Sequence, residues 1–222
     1  MMQWITDIKA EYLGFASYPP VYLRQDTKGK NLLIGANIAS AGSGYYDRTA
    51  QFYLTYYKEY QNKVVRMVGK ANANIMFSGG IHPVSAGTKP ASVTSDILMR
   101  SYSAFVQNLY GLGVRRIGVT TLPPMTSQDL QNKLPGLKLV VFDIYQPLLD
   151  LVTKPTDSGF FESRKACCGT GTIETSMLCN ARTVGTCSNA TQYVFWDGCH
   201  PSEAANQILA QGLLEQGFSL IS

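Results

Sequence analysis

The 222-residue sequence lacks the patterns that mark two large classes of protein. It contains no run of about eighteen apolar residues, so it predicts no transmembrane helix. Its 19 Lys and Arg residues are scattered among 15 Asp and Glu residues and nowhere form a run of five or six. Because nucleic-acid-binding domains carry clustered basic residues, we expect neither a membrane span nor a nucleic-acid partner.

The sequence also lacks a regular metal-binding motif. It has two histidines, and its five cysteines form no C-x-x-C pair: Cys167, Cys168, Cys179, Cys187 and Cys199. A structural zinc site needs such pairs, so we predict no metal and no cofactor. The clustering of the cysteines in the last quarter of the chain instead favours local disulfides in an oxidising compartment, with one cysteine left unpaired.

Apolar residues make up 45% of the sequence, which suits one globular domain over residues 1–222. Short apolar runs predict strands at 31–44, 74–80, 114–122 and 137–145. Helical periodicity predicts helices at 56–70, 95–113 and 202–217. The last helix would turn Ala205, Ile208, Leu209 and Leu213 inward and carry Pro201 in its first turn.

This alternation of strands and helices predicts an α/β fold around a parallel sheet. One connection is short, because prolines leave only the ten residues 125–134 for a helix between the strands at 114–122 and 137–145. Ten residues are barely enough for a parallel crossover. In such sheets, functional residues gather at the carboxyl ends of the strands.

Asp197 and His200 form the strongest candidate site, in the segment FWDGCHPSEAAN. A carboxylate that fixes the tautomer of a histidine allows the ring to accept a proton from a nucleophile. The alternative is structural, with Asp197 forming a turn and His200 capping the following helix.

Other candidates carry weaker signals. The glycines of ASAGSG (39–44) either donate backbone N–H groups to an oxyanion or simply form the turn after a strand. Ser43, Ser78 and Ser85 lie in glycine-rich turns, but none lies in a G-x-S-x-G motif.

Three further residues suit structural roles better than catalysis. We interpret Asp143 as a carboxylate at a strand end and His82, which precedes a proline, as structural. Cys199 directly precedes His200, but adjacent side chains rarely point at one another, so we expect a disulfide or a free thiol there.

Several segments together resemble the plant GDSL-type esterase/lipases of the SGNH hydrolase superfamily: LLIGANIASAGSGYYD, LYGLGVRRIGVTTLPP, LVVFDIYQPLLDLVTKP, GFFESRKACCGTGTIE and FWDGCHPSEAAN. The resemblance implies a secreted serine hydrolase that cleaves carboxylic esters of lipids or other small acyl compounds without a metal. It implies a three-layer α/β/α fold with a flavodoxin-like parallel sheet. It assigns the acid and base to Asp197 and His200 and an oxyanion-hole N–H to Gly42.

The sequence departs from that family at three places. The Gly-Asp-Ser block that carries the nucleophilic serine occurs nowhere, so the nucleophile is unknown and the first strand is expected to be missing. The Gly-x-Asn-Asp block has its nearest match at Gly87, with Lys89 and Pro90 where the polar residues would stand. The segment after Pro124 is abbreviated, and the first fifteen residues show no signal peptide.

These departures lead to two hypotheses and one structural expectation. The chain is either an ester hydrolase, truncated and impaired, or it is catalytically inactive: a remnant, or a non-catalytic homologue that binds a lipid or a partner. Loss of the first strand would require the strand at 31–44 to pair directly with the next strand, because buried strands leave no N–H and C=O groups unpaired.

Overall fold

The computed structural model describes residues 19–25, 27–38, 44–85, 93–120, 124–175, 178–180 and 182–221. These residues fold into two compact units, which we treat separately. The sheet unit comprises the described residues up to Phe142 and from Gln216 onward, and the disulfide unit comprises Asp143–Glu215. The expectation of one domain over residues 1–222 stays a prediction.

A parallel three-stranded sheet forms the centre of the sheet unit. Its strands are β1 (Ile81–Val84), β2 (Arg116–Thr120) and β3 (Lys138–Phe142), in that order across the sheet. Arg116 lies opposite Ile81 on one side and opposite Lys138 on the other. The middle residues of β2 are buried, as is typical of a strand between two neighbours in a parallel sheet. The predicted α/β class is therefore confirmed.

Helices connect these strands. Helix α1 (Asp47–Gly79) precedes β1, α2 (Ser95–Gly111) leads from β1 to β2, and α3 (Pro124–Lys133) leads from β2 to β3. The ten-residue crossover predicted from the sequence is thus confirmed. The buried face of α1 contains Tyr57, Tyr60 and Val64, which lie three and four residues apart.

Two of the predicted strands are wrong. Gly29–Ile34 form a 3-10 helix, and Gly35 ends it with φ of 115°, which only glycine adopts without strain. The described remainder of segment 31–44 makes one parallel bridge, from Asn37 to Val21, so the expected pairing of this segment with the next strand is not formed in the described ranges. Residues 74–79 are helical. They belong to the part of α1 that follows a kink at Gly69, where φ is 80°, and Ala73 and Phe77 are buried in this part.

The disulfide unit contains a second, smaller sheet. Strands β4 (Glu162–Ala166) and β5 (Tyr193–Phe195) pair in parallel between α4 (Tyr145–Thr153) and α5 (Glu203–Gln216) along the chain. The core of the unit consists of apolar side chains from these elements and from the loop before β4: Leu151, Phe160, Val194, Ala205 and Leu209. A short helix, α6 (Phe218–Ile221), follows α5 in the chain and belongs to the sheet unit.

Two details of the last predicted helix are wrong. Ile208 is 39% exposed, because the buried stripe of α5 follows Ala205, Leu209 and Leu213 at intervals of four residues. Pro201 lies before the helix, which begins at Glu203, and the Ser202 hydroxyl accepts the Ala205 N–H at 3.2 Å as the N-cap.

Two disulfides join the cysteine-rich segment, as predicted. They link Cys167 to Cys187 and Cys168 to Cys179, and Cys199 is a free, exposed thiol. Among the described helices, none has both the length and the apolar character needed to cross a lipid bilayer.

Candidate active site

The candidate site lies in the turn between β5 and α5, residues 196–200. Backbone hydrogen bonds join the two ends of this turn. The Trp196 N–H donates to the His200 carbonyl at 2.8 Å, and the Ser202 N–H donates to the Val194 carbonyl at 2.8 Å. Phe195 and Pro201 form an antiparallel bridge beside these bonds. Both ends of the turn are therefore fixed by the backbone.

The disulfide-bonded segment holds the turn from a second side. The N–H groups of Cys167 and Cys168 donate to the carbonyls of Phe195 and Trp196 at 3.0 and 2.9 Å. The Gly198 N–H donates to the Glu174 carbonyl at 2.9 Å. A Cβ on Gly198 would lie 3.2 Å from the Thr172 carbonyl oxygen, so glycine permits this close approach.

Asp197 both shapes the turn and contacts the histidine. Its side chain is 2% exposed, and Oδ1 accepts the backbone N–H groups of Cys199 at 3.0 Å and His200 at 2.8 Å. Its carboxylate oxygens lie 2.8 and 2.7 Å from Nδ1 of His200. The structural and catalytic interpretations of Asp197 are thus compatible.

His200 does not cap the following helix, because Ser202 does so. The Asp197 carboxylate can only accept, so Nδ1 carries the proton and Nε2 presents its lone pair. The side chain is 33% exposed, which leaves the ring open to solvent. This arrangement can take a proton at Nε2 and stabilise the resulting imidazolium by the adjacent buried carboxylate.

Cys199 lies closer to the histidine than the sequence predicted. Its Sγ is 3.4 Å from Nδ1 and 3.8 Å from Nε2 of His200, because the Asp197 turn brings both adjacent side chains to one side. Burial, and next the charge of Asp197, raise the pKa of the Cys199 thiol. A protonated thiol is a poor nucleophile, which argues against a Cys-His mechanism.

Of the remaining candidate glycines and serines, the structure describes Ser78 and Ser85. Gly42, Ser43, Gly87, Lys89 and Pro90 lie outside the described residues. The Ser78 hydroxyl donates to the Ile75 carbonyl within α1 at 3.2 Å, and Ser85 directly follows β1.

His82 and Asp143 have structural partners. Nε2 of His82 lies 3.0 Å from the Tyr57 hydroxyl. Burial lowers the pKa of His82 to about 4. The Asp143 carboxylate accepts the N–H groups of Tyr145 and Gln146 at the start of α4.

Comparison with known proteins places the chain in a family. The GDSL-like lipase/acylhydrolase family profile matches residues 3–213. GDSL esterase/lipase At5g03810 from Arabidopsis thaliana is 52% identical over 276 residues, which covers 98% of this chain and 78% of the relative. GDSL esterase/lipase At3g53100 from Arabidopsis thaliana is 48% identical over 274 residues, with 97% and 78% covered.

The alignment also reveals an internal difference. The stretch aligned with At5g03810 is 276 positions long, and this chain has 222 residues, so at least 54 aligned positions have no counterpart in it. This agrees with the abbreviation predicted from the sequence. The identity and coverage, together with the family match, show that the chain belongs to the GDSL-like lipase/acylhydrolase family, whose members are ester hydrolases.

Proposed function

We propose that Asp197 and His200 are the acid and base of an ester hydrolase, that Gly42 donates to its oxyanion hole, and that hydrolysis by these 222 residues is impaired. The observation that carries the acid–base assignment is the 2.7 Å contact between the buried Asp197 carboxylate and the solvent-open His200 ring. The impairment is supported by the sequence, which contains no Gly-Asp-Ser block.

In this proposal, Nε2 of His200 removes the proton from the attacking hydroxyl group. The Asp197 carboxylate stabilises the imidazolium that forms, and the ring then returns the proton to the leaving alkoxide. The fixed turn keeps the ring oriented, so little reorganisation accompanies the proton transfer.

The test is hydrolysis of a short-chain p-nitrophenyl ester by the 222-residue chain, by His200→Ala and by His82→Gln. His82→Gln is the matched control, because His82 is the other histidine of the sequence and lies in the sheet unit. Where another serine or a water molecule acts in place of the missing nucleophile, loss of general base catalysis is expected to lower the residual kcat about 100-fold or more in His200→Ala only. Equal rates for the wild type and His200→Ala would contradict general base catalysis by His200 in these 222 residues.

A non-catalytic homologue that binds a lipid or a partner is the second candidate. It is favoured by one observation in the disulfide unit: among its described residues, the His200 ring contacts Asp197 and Cys199 and no serine hydroxyl. A fluorophosphonate probe separates the two candidates. Stoichiometric labelling of one serine would show a substitute nucleophile and overturn the impairment.

We further assign the substrate to the class of small acyl esters or lipids and the location to the secretory route. The family supports the first assignment, and two disulfides support the second, since such bonds persist in oxidising compartments. Recovery of the protein from the culture medium of plant cells expressing the gene is the expected result. Exclusive recovery from the cytosol would contradict secretion.

A further inference from the structure

The sequence contains one consensus site for the attachment of an N-linked glycan, the triplet Asn189-Ala190-Thr191. No other asparagine of the sequence is followed two residues later by a serine or a threonine. Glycans are attached to such triplets in the secretory route, where disulfides such as the one between Cys167 and Cys187 also form. The triplet and the disulfides are independent features that point to the same compartment.

The triplet lies on the surface of the disulfide unit. Asn189 and Thr191 are exposed, and Asn189 precedes the 3-10 helix Ala190–Gln192, which leads into β5. Oδ1 of Asn189 accepts the Thr191 N–H at 3.1 Å and the Thr191 hydroxyl at 2.7 Å. Both bonds use the oxygen, so neither of them occupies Nδ2, the nitrogen to which a sugar is attached. A bulky group on this exposed nitrogen therefore displaces no buried side chain.

The triplet and the candidate site lie at opposite ends of β5. Residues 189–191 precede the strand, and the turn at 196–200 follows it. The strand has three residues, and each rises about 3.3 Å, so about 10 Å of strand separates the triplet from the turn. A glycan on Asn189 is therefore expected to leave the His200 ring accessible.

An exposed aromatic side chain is attached to the backbone next to the triplet. The Phe161 side chain belongs to a residue that is 82% exposed. The Phe161 N–H donates to the Gln192 carbonyl at 2.8 Å, and the Gln192 N–H donates to the Asn189 carbonyl at 3.4 Å. An exposed apolar ring promotes association between molecules, which a bulky, polar glycan beside it opposes. Two backbone hydrogen bonds thus connect the residue to be covered with the residue that can carry the cover.

We propose that Asn189 carries an N-linked glycan, and that this glycan shields Phe161 from contact with other molecules. The donor is an oligosaccharide linked through diphosphate to a lipid. Nδ2 of Asn189 attacks C1 of the first sugar, so that the N–C1 bond forms and the C1–O bond to the diphosphate breaks. The diphosphate leaves with the electron pair, and one proton of Nδ2 passes to a base of the transferase. The proposal rests on the secretory route proposed above and does not depend on ester hydrolysis.

The glycan is detected on the full chain, fused to a cleavable signal peptide and secreted by plant cells. Its release by peptide N-glycanase A in H₂¹⁸O converts the modified asparagine to ¹⁸O-labelled aspartate, and we expect the label at Asn189. Asn189→Gln and Thr191→Ala should both lose the glycan, whereas Thr191→Ser, which keeps the hydroxyl group, should retain it. Asn180→Gln is the matched control and should retain it too, because Oδ1 of Asn180 accepts the Arg182 N–H in a similar turn that lacks the threonine.

The outcomes separate the site, the shielding and the secretory route. Recovery of the fused chain from the medium without a glycan, or with an equal glycan in Asn189→Gln, would overturn the site. Asn189→Gln is expected to aggregate at a lower concentration than the wild type, and Phe161→Ser in the same chain is expected to restore solubility. Aggregation that is unchanged when the glycan is removed from the folded wild type, or when Phe161→Ser is added to Asn189→Gln, would overturn the shielding and leave the site. A glycan on the fused chain, with exclusive cytosolic recovery of the chain made from its own gene, would overturn the secretory route and leave Asn189 as a competent acceptor.

Discussion

One carboxylate holds His200 at two points: Oδ1 of Asp197 accepts the backbone N–H of His200 at 2.8 Å, and Oδ2 lies 2.7 Å from Nδ1 of its ring. The backbone contact holds the main chain of His200 in place. The contact with Nδ1 orients the ring and keeps the proton on that nitrogen. Nδ1 also lies 2.8 Å from Oδ1, so the ring contacts both oxygens, whereas the two backbone N–H groups donate to Oδ1. A substitution that changes Oδ2 and keeps Oδ1 therefore alters the ring contact and leaves these backbone contacts in place.

Asp197→Asn tests this separation. An asparagine oxygen still accepts the backbone N–H groups, but its NH₂ group cannot accept the proton on Nδ1 of His200. We expect kcat for ester hydrolysis to fall about 100-fold or more, since an equivalent change in a Ser-His-Asp triad costs about 10,000-fold, while the thermal midpoint changes little. Asp197→Ala is the matched comparison and should lower both activity and stability. Full activity in Asp197→Asn would contradict the role of the carboxylate.

The disulfide between Cys167 and Cys187 should stabilise the turn that carries the site. It links residues 20 apart, and the Cys167 N–H donates to the Phe195 carbonyl at the entrance to the turn. Replacing both cysteines with alanine is expected to lower the free energy of unfolding by about 3 kcal/mol, measured by urea denaturation. Cys199→Ala is the control, because this thiol is unpaired and exposed. An equal loss of stability in the control would contradict the prediction.

Gly118 in β2 should tolerate no side chain. A Cβ at this position would lie 2.2 Å from Cε2 of Phe142, and Phe142 is buried. Gly118→Ala is expected to lower the free energy of unfolding by about 1–3 kcal/mol through overpacking. The matched control is Gly111→Ala in α2, where a Cβ meets nothing within 4 Å and should stabilise the helix by up to about 1 kcal/mol.

A double variant tests the cause of that loss. If the Phe142 ring is the obstacle, Phe142→Leu should reduce the cost of Gly118→Ala, so that the two substitutions are not additive. Strict additivity would indicate that the alanine clashes with something else.

The local sequence pattern predicted those strands and helices whose formation depends on neighbouring residues. The runs around Ile117 and Leu139 are rich in branched residues and formed β2 and β3, and the prolines around segment 125–134 set the length of α3. The strand predicted at 31–44 did not form because its apolar run, Leu32–Ile34, is only three residues long. It lies between Gly29 and Gly35, and both glycines adopt positive φ.

In the candidate site, too, the local sequence pattern predicted one contact and missed another. The spacing of Asp197 and His200 predicted their contact, because both residues lie in one turn. The spacing did not predict the contact between Cys199 and His200. That contact depends on the backbone N–H groups of both residues, which turn toward Oδ1 of Asp197. An aspartate two residues before a cysteine and three residues before a histidine is the signal that sequence reasoning missed.

The last prediction concerns pH and the sheet unit. His82 lies in β1 and is half-buried, and its Nε2 lies 3.0 Å from the hydroxyl of Tyr57 in α1. Burial lowers its pKa to about 4 from 6.5, despite opposing hydrogen bonds to the Gly80 carbonyl and to the backbone of Arg116. A lowered pKa means that the folded chain favours the neutral ring, so the unfolded chain binds a proton more readily below pH 6.5.

The stability from His82 is therefore complete above about pH 6.5 and is lost as the pH falls toward 4. At pH 5, the free energy of unfolding should be about 2 kcal/mol lower than at pH 7.5 on account of this residue. His82→Gln removes the titrating group, so the urea midpoint of this variant should depend less on pH over that range. The two proteins are identical at every other residue, which makes their difference specific to His82. An identical pH dependence in the two proteins would show that His82 titrates in the folded chain as it does in the unfolded one.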